Sequence, residues 1–249
     1  MKETKQQFPA EEVTLPSQGL LYPEDSPLRS GIIEMKYMTA REEDILTNVN
    51  LIENGTVIDK LLESLIITKI DFNELLTGDK DAILIAARIL GYGSDYIFTH
   101  RGEEINVDLT TIKDKQLDES LVIDGKNEFS FTLPTSKKEV TFKFLTHGDE
   151  QKITKELKGL KKLNKNASND LTTRMKYIIT SVDNDSETKT IREFIDNEFL
   201  ARDARELRKY ISKIQPSVDL SYDYEDQRGN ITTIDIPVGI QFFWPDASI

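Results

Sequence analysis

The stretch 15–48 constrains the fold most, because its residue types arrive in an order that few backbone paths accommodate. Pro16, Gly19 and Pro23 interrupt it early. Proline fixes φ and removes a donor, and glycine admits positive φ, so no regular helix forms there. Leu15, Leu20, Leu21 and Tyr22 lie among these breakers, which predicts an extended arm docked across a surface or in a groove through those side chains. After Gly31, the run Ile32-Ile33-Glu34-Met35-Lys36-Tyr37 alternates apolar and polar residues at its ends, as a strand does. Thr39 closes that strand and, with Glu42 three residues on, forms a capping box that opens a helix over about 39–48. Glu42, Glu43 and Asp44 fall in its first turn, where the helix dipole favours negative charge.

Composition narrows the function classes. The 249 residues include no cysteine, which excludes disulfides, thiolate metal sites and thiol nucleophiles. A net charge of −12 argues against a general phosphate-binding surface, so nucleic acid is not an expected partner. No apolar run approaches the ~18 residues that span a bilayer, and the opening MKETKQQFPAEE has no apolar signal core, so no membrane is expected and the chain stays where it is made.

Periodicity and turn chemistry predict an α+β chain with a mostly helical body, β-hairpins and a small antiparallel sheet. Its expected segments are a flexible N-terminus over 1–14, an arm, helices and first hairpin over 15–112, antiparallel strands over 113–148, and a helical segment with a C-terminal hairpin over 149–249. Val57, Leu61, Leu62, Leu65 and Ile66 mark a helix over 56–70, and a further helix over 80–90 has Asp79 as its cap. Strands are expected over 121–123, 129–133 and 140–145. Asp149 caps a helix to 163, another helix covers 171–182, and Thr190 with Glu193 forms a second capping box. Hairpins flank Arg101-Gly102 and Arg228-Gly229, and their similar surroundings raise the question of a repeated unit without settling it.

Two further places have the character of partner surfaces. Ile153, Leu157, Leu160 and Leu163 form a narrow apolar seam, bordered over 150–165 by six lysines against two glutamates. That pattern fits either a solvated helix packed on its own domain or a docking helix for an acidic or helical partner. Phe242, Phe243 and Trp244 form an aromatic cluster that either plugs the core or serves as a partner hot spot.

No catalytic constellation emerges, so the chain is not expected to be an enzyme and no cofactor or metal is implied. His100 and His147 stand in unrelated contexts without a nucleophile motif. There is no phosphate-binding glycine loop, because Gly91-Tyr92-Gly93 stops a helix.

Four phrases resemble the T4-type phage base plate protein family. They are LPS-x-G-x-x-Y over 15–22 with the strand and MTAREEDILTN that follow, LLTGDKDAILIAARILGYGSDY over 75–96, FSFTLPTSKKEVTFKFLTHGDEQKI over 129–153, and FFWP over 242–245. The resemblance implies an assembly factor of the baseplate hub in a contractile tail, acting through contacts with other tail or hub proteins. It implies a site in the host cell cytoplasm during assembly, or in the tail baseplate of the particle. A chaperone for a hub or tape measure protein and a permanent structural subunit are both open on this reading, with a tail-embedded enzyme a weaker rival. Family members carry CxxC pairs at such hairpins, where four thiolates hold zinc. This sequence has none, so either packing alone holds the hairpins or that lobe is a reduced version.

Overall fold

The computed structural model describes residues 9–123, 125–163, 169–225 and 229–243. Expectations for 1–8, Asp124, 164–168, 226–228 and Trp244, and for the Leu163 side chain, lie outside the described residues. The chain is mixed α+β, with 46% helix against 23% strand, so helices form its body and the sheets are small and antiparallel.

Strand β1 (Ala10–Thr14) pairs antiparallel with β2 (Ile32–Lys36), Val13 standing opposite Ile33. Helices α1 (Ala40–Leu46), α2 (Val49–Asn54) and α3 (Val57–Leu65) follow, then α4 (Thr77–Tyr92) and the hairpin of β3 (Asp95–His100) and β4 (Glu103–Asp108). A short β5 (Asp114–Lys115) leads to β6 (Phe129–Thr132) and β7 (Glu139–Phe142). Helices α5 (His147–Leu163) and α6 (Asp170–Ile178) come next, and β8 (Ile179–Val182) then joins β7 at the edge of a three-stranded sheet. The chain continues through α7 (Thr188–Asn197), α8 (Ala201–Ile214), β9 (Ser217–Val218), the hairpin of β10 (Ser221–Glu225) and β11 (Ile231–Asp235), and a last 3-10 turn, Ile240–Phe243. β5 pairs with β9, β7 with β8, and Tyr96 packs edge-on against Phe242, which ties the 15–112 and 113–148 segments to 149–249; within the stretch expected to be flexible, residues 10–14 are instead a strand paired with β2.

Several boundaries differ from the sequence expectation. The 39–48 helix is shorter, Ala40–Leu46, although its capping box forms as read: the Glu42 carboxylate accepts from the Thr39 amide and hydroxyl. α3 ends at Leu65 because Ile66 leaves the helix to bridge Met35 of β2, and β-branched residues suit that edge. For the same reason the 171–182 helix stops at Ile178, and 179–182 form β8. Residues 121–123 are not a strand, since Asp118 caps a 3-10 turn at Glu119–Leu121. α4 starts two residues before Asp79, so Asp79 is not its cap. Thr146 rather than Asp149 caps α5; its hydroxyl accepts from the Asp149 amide while Asp149 reaches back to the Thr146 amide. α7 starts at Thr188, which puts Thr190 inside the helix.

The described fold contains one unit twice. Val13-Thr14-Leu15-Pro16-Ser17 matches Phe131-Thr132-Leu133-Pro134-Thr135, each running out of the first strand of its sheet. The next strand ends in the pattern Lys-x-x-Thr-x-x-acid: Lys36, Thr39 and Glu42, then Lys143, Thr146 and Asp149. In both, the lysine pairs with the acid of the capping box, at 2.7 Å and 2.6 Å. Helices follow, and Ile66-Ile67-Thr68-Lys69-Ile70-Asp71 matches Ile178-Ile179-Thr180-Ser181-Val182-Asp183 where the chain returns to that strand. Met35 faces Ile66 there and Phe142 faces Ile179, within one residue of the same register. Each copy then adds a long helix, α4 or α8, and a hairpin.

Candidate functional site

The arm is folded into its own domain. Leu15, Leu21 and Tyr22 are buried and Leu20 packs half-buried against them, so these side chains belong first to this chain's core. The surface on which the arm docks is thus this chain's own. What fixes it is Asp79 in the first turn of α4, itself fully buried. Its carboxylate accepts from the Ser17 amide at 2.9 Å and from the Ser17 and Tyr22 hydroxyls at 2.6 Å each. Tyr22 in turn accepts from the Leu76 amide. Burial raises the Asp79 carboxyl above its usual range, while these three donors pull it down; burial and the neighbouring carboxylate raise the Tyr22 phenol, which keeps it a donor. The second copy repeats the device. Asp203, in the first turn of α8, accepts from the Thr135 and Ser136 amides at 2.7 Å and 2.9 Å.

Helix α5 lies where the two copies meet, between two clefts. One, about 1000 Å³, has Leu21, Tyr22, Asn73 and Glu74 on the first copy's side and Lys143, Asp149 and Lys152 on the other. Part of the arm thus reappears as the floor of a cleft. The second, about 810 Å³, runs between Gly55, Ile58 and Asp59 and the α5 residues Lys155, Lys158 and Lys162. Ile153 is buried, while Leu157 and Leu160 are half-buried against the body, which makes the seam chiefly an internal packing surface. The α5 acids turn to their own neighbours: Glu150 pairs with Arg174 at 2.6 Å, and Glu156 accepts from Tyr177 at 2.9 Å and faces Arg192. Lys152, Lys155, Lys158 and Lys162 are left exposed along the clefts, and Lys161 is exposed outside them.

At the base of the second cleft, Lys80 joins Asp59 at 2.5 Å and approaches the His147 Nδ1 at 3.2 Å. Burial, with Lys80 adding to it, lowers the His147 pKa below its ordinary value, which keeps the imidazole neutral. The ring packs edge-on against Phe72 at 4.7 Å. The other ring nitrogen meets the Gln151 amide at 2.8 Å and the Asp59 carboxylate at 3.5 Å, so the cluster joins α3, α4 and α5. His100 lies elsewhere, in the first hairpin against Tyr224.

Phe242 and Phe243 are fully buried: Tyr96 packs edge-on against Phe242, whose carbonyl accepts from Arg88 Nε at 2.9 Å. They plug the core, which corrects the hot-spot alternative for these two residues. Sequence reasoning placed Asp79, Asp149, Asp203 and Glu42 at helix starts, but missed that Asp79 and Asp203 bind the chain after the first strand of each copy and that Lys36 and Lys143 pair with the capping acids. The signal that finds them is the pairing of each with a second copy of its own motif.

The fold and its open edges define a duplicated α+β chain with basic helix faces on an acidic body. Comparison with known protein families, with curated proteins and with solved structures finds no match. Among the described residues no group of three His, Cys, Asp or Glu side chains could hold a metal ion, and no helix is long and apolar enough to cross a membrane.

Proposed function

We propose that this chain is a protein-binding factor for assembly of a contractile phage tail, engaging a baseplate hub or tail protein along α5. The reading is carried by one observation: α5 stands between two clefts with its acids turned inward and its lysines open. An acidic body with a local basic edge suits salt-sensitive engagement of an acidic or helical partner. The tail assignment is supported by the resemblance of the four phrases, three of which carry parts of the locks and capping boxes: Ser17, Tyr22 and the Thr39–Glu42 box in the first, Asp79 in the second, and Thr135, Ser136 and the Thr146–Asp149 box in the third. In this reading the factor acts in the cytoplasm of the infected cell, as a chaperone that leaves before the particle is complete.

The test is mass spectrometry of purified particles beside a pull-down from infected-cell lysate with this chain as bait. A chaperone captures hub or tape measure proteins and is absent from particles. Fixed copies in the particle make it a structural subunit instead, and capture of no tail protein refutes the assignment.

A further inference from the structure

The two copies treat one helix face in opposite ways. With Asp79 and Asp203 as equivalent positions, Gly78, Leu84, Ile85, Arg88 and Ile89 of α4 correspond to Arg202, Arg208, Lys209, Ser212 and Lys213 of α8. In α4 this face is covered by the chain itself. Gly78 lies so close to the chain after α8 that a Cβ there would stand 1.9 Å from the Pro216 carbonyl oxygen, and Leu84, Ile85 and Arg88 are buried. In α8 the same face is open: Arg202, Arg208, Lys209, Ser212 and Lys213 are all exposed, as is the adjoining Arg205, whose counterpart Asp81 is exposed in α4 as well. The inward face of α8 is ordinary core, with Leu207 buried and Tyr210 stacked on Phe131 at 4.9 Å.

The open face is one-sided in charge. Five cations share it with a single acid, Glu206, which pairs with Lys209 at 2.9 Å. Lys209, with Arg205 and Arg202 adding to it, holds the Glu206 carboxyl below its usual range. Among the described residues Arg202, Arg205, Arg208 and Lys213 have no acidic partner within ion-pair distance. This occurs on a chain of net charge −12, where α5 carries the other basic face. Beside the stripe, a groove of about 550 Å³ between α6 and α8 has an apolar floor of Met175, Ile178 and Ile211, with the exposed Leu171 and Arg208 at its rim.

We infer that the outer face of α8 is a docking surface for an acidic protein segment that carries an apolar side chain, the acids lying along the stripe and the apolar group entering the groove. Arginine suits this role because its planar fork binds carboxylates through two bonds and its weakly hydrated head loses little on burial. Duplicated backbone explains why the face is accessible, and its cations explain which partner it accepts. The inference stands on α8 alone and does not need the tail assignment or the α5 clefts.

The probe is a labelled peptide of about fifteen residues, rich in Asp and Glu with one central Leu, long enough to follow the ~17 Å of helix from Arg202 to Lys213. Binding is read by fluorescence anisotropy on the full chain at low salt. Arg205→Glu with Lys209→Glu removes two attractions and adds two repulsions, and weakens binding by about tenfold or more. Lys69→Glu with Lys189→Glu makes the same change of net charge at exposed positions elsewhere and leaves binding within about twofold. Replacing the peptide's Leu with Ser weakens binding as well. The inference is overturned if the wild-type chain does not bind, if both double variants lose equally, or if a single-stranded oligonucleotide of equal charge binds α8 more tightly. Concentration-dependent self-association that the α8 variant abolishes would make the face a contact between copies and overturn it too.

Discussion

Replacing Asp79 with alanine tests the central joint of the fold. The carboxylate accepts three hydrogen bonds, from the Ser17 amide and from the Ser17 and Tyr22 hydroxyls, inside a site with no solvent access. A bond to a charged acceptor contributes about 1.5–3 kcal/mol, and a buried donor left unsatisfied costs about 1–3 kcal/mol. The effects are not additive, because Tyr22 retains its bond from the Leu76 amide and the hydroxyls can turn. The net loss is then about 3–5 kcal/mol, a large part of the ~5–15 kcal/mol that folded proteins possess. With a urea slope near 3 kcal/mol/M, the midpoint falls by roughly 1–1.7 M. Tyr22→Phe removes one donor to the carboxylate and leaves the Leu76 amide without its acceptor, and lowers the midpoint by less than Asp79→Ala because the two Ser17 bonds remain. The double variant falls short of the sum, since both act on one cluster. An Asp79→Ala midpoint within about 0.3 M of wild type, at unchanged slope, would refute the claim that this carboxylate anchors the arm.

Two other perturbations probe the joints between the copies. Gly78→Ala puts a methyl 1.9 Å from the Pro216 carbonyl oxygen, which forces α4 and the β9 segment apart; a loss of about 2 kcal/mol or more is expected in thermal unfolding, and unchanged stability would contradict that contact. His147 gives a pH dependence whose sign is fixed by its lowered pKa: the folded state favours the neutral ring, so its contribution is present above the ordinary value near 6.5 and is lost as pH falls below it. Between pH ~7.5 and ~5.5 wild type therefore loses more stability than His147→Gln, and equal slopes would show that the ring titrates freely.

How much of this was legible in the sequence depends on how local each signal is. The Thr39–Glu42 box could be read because both partners lie within one helical turn, and the buried stripe of α3 could be read from its spacing. The hairpins were legible for the same reason. Asp79 was not, because a first-turn aspartate looks like a cap, and its true donors lie 62 and 57 residues earlier. β8 was hidden because Ile178 and Ile179 continue the apolar stripe of α6, and a short β-branched run is ambiguous until a strand edge is available to receive it. The repeat, raised by the two hairpins, could not be settled from sequence because the loops differ in length: the turns between the paired strands occupy 15–31 in one copy and 133–138 in the other, so no fixed period appears. At the partner surfaces, hydrophobicity identified Phe242, Phe243 and Ile153 as residues that must be covered. It could not say that this chain supplies the cover.

The dependence of α4 on Pro216 and on Phe242 has a consequence for synthesis. A ribosome emits the first copy's locking residues early, and Asp79 can close on Ser17 once the start of α4 emerges. The side of α4 at Gly78 must wait for the chain beyond α8, and Arg88 and Tyr96 must wait for Phe242. Until Phe242 has emerged, the nascent first copy therefore holds apolar surface that nothing yet protects, the condition in which chains meet each other. A message truncated anywhere before the codon for Phe242 leaves that surface bare for good, and such fragments are expected to aggregate or be degraded even though most of their secondary structure is encoded intact.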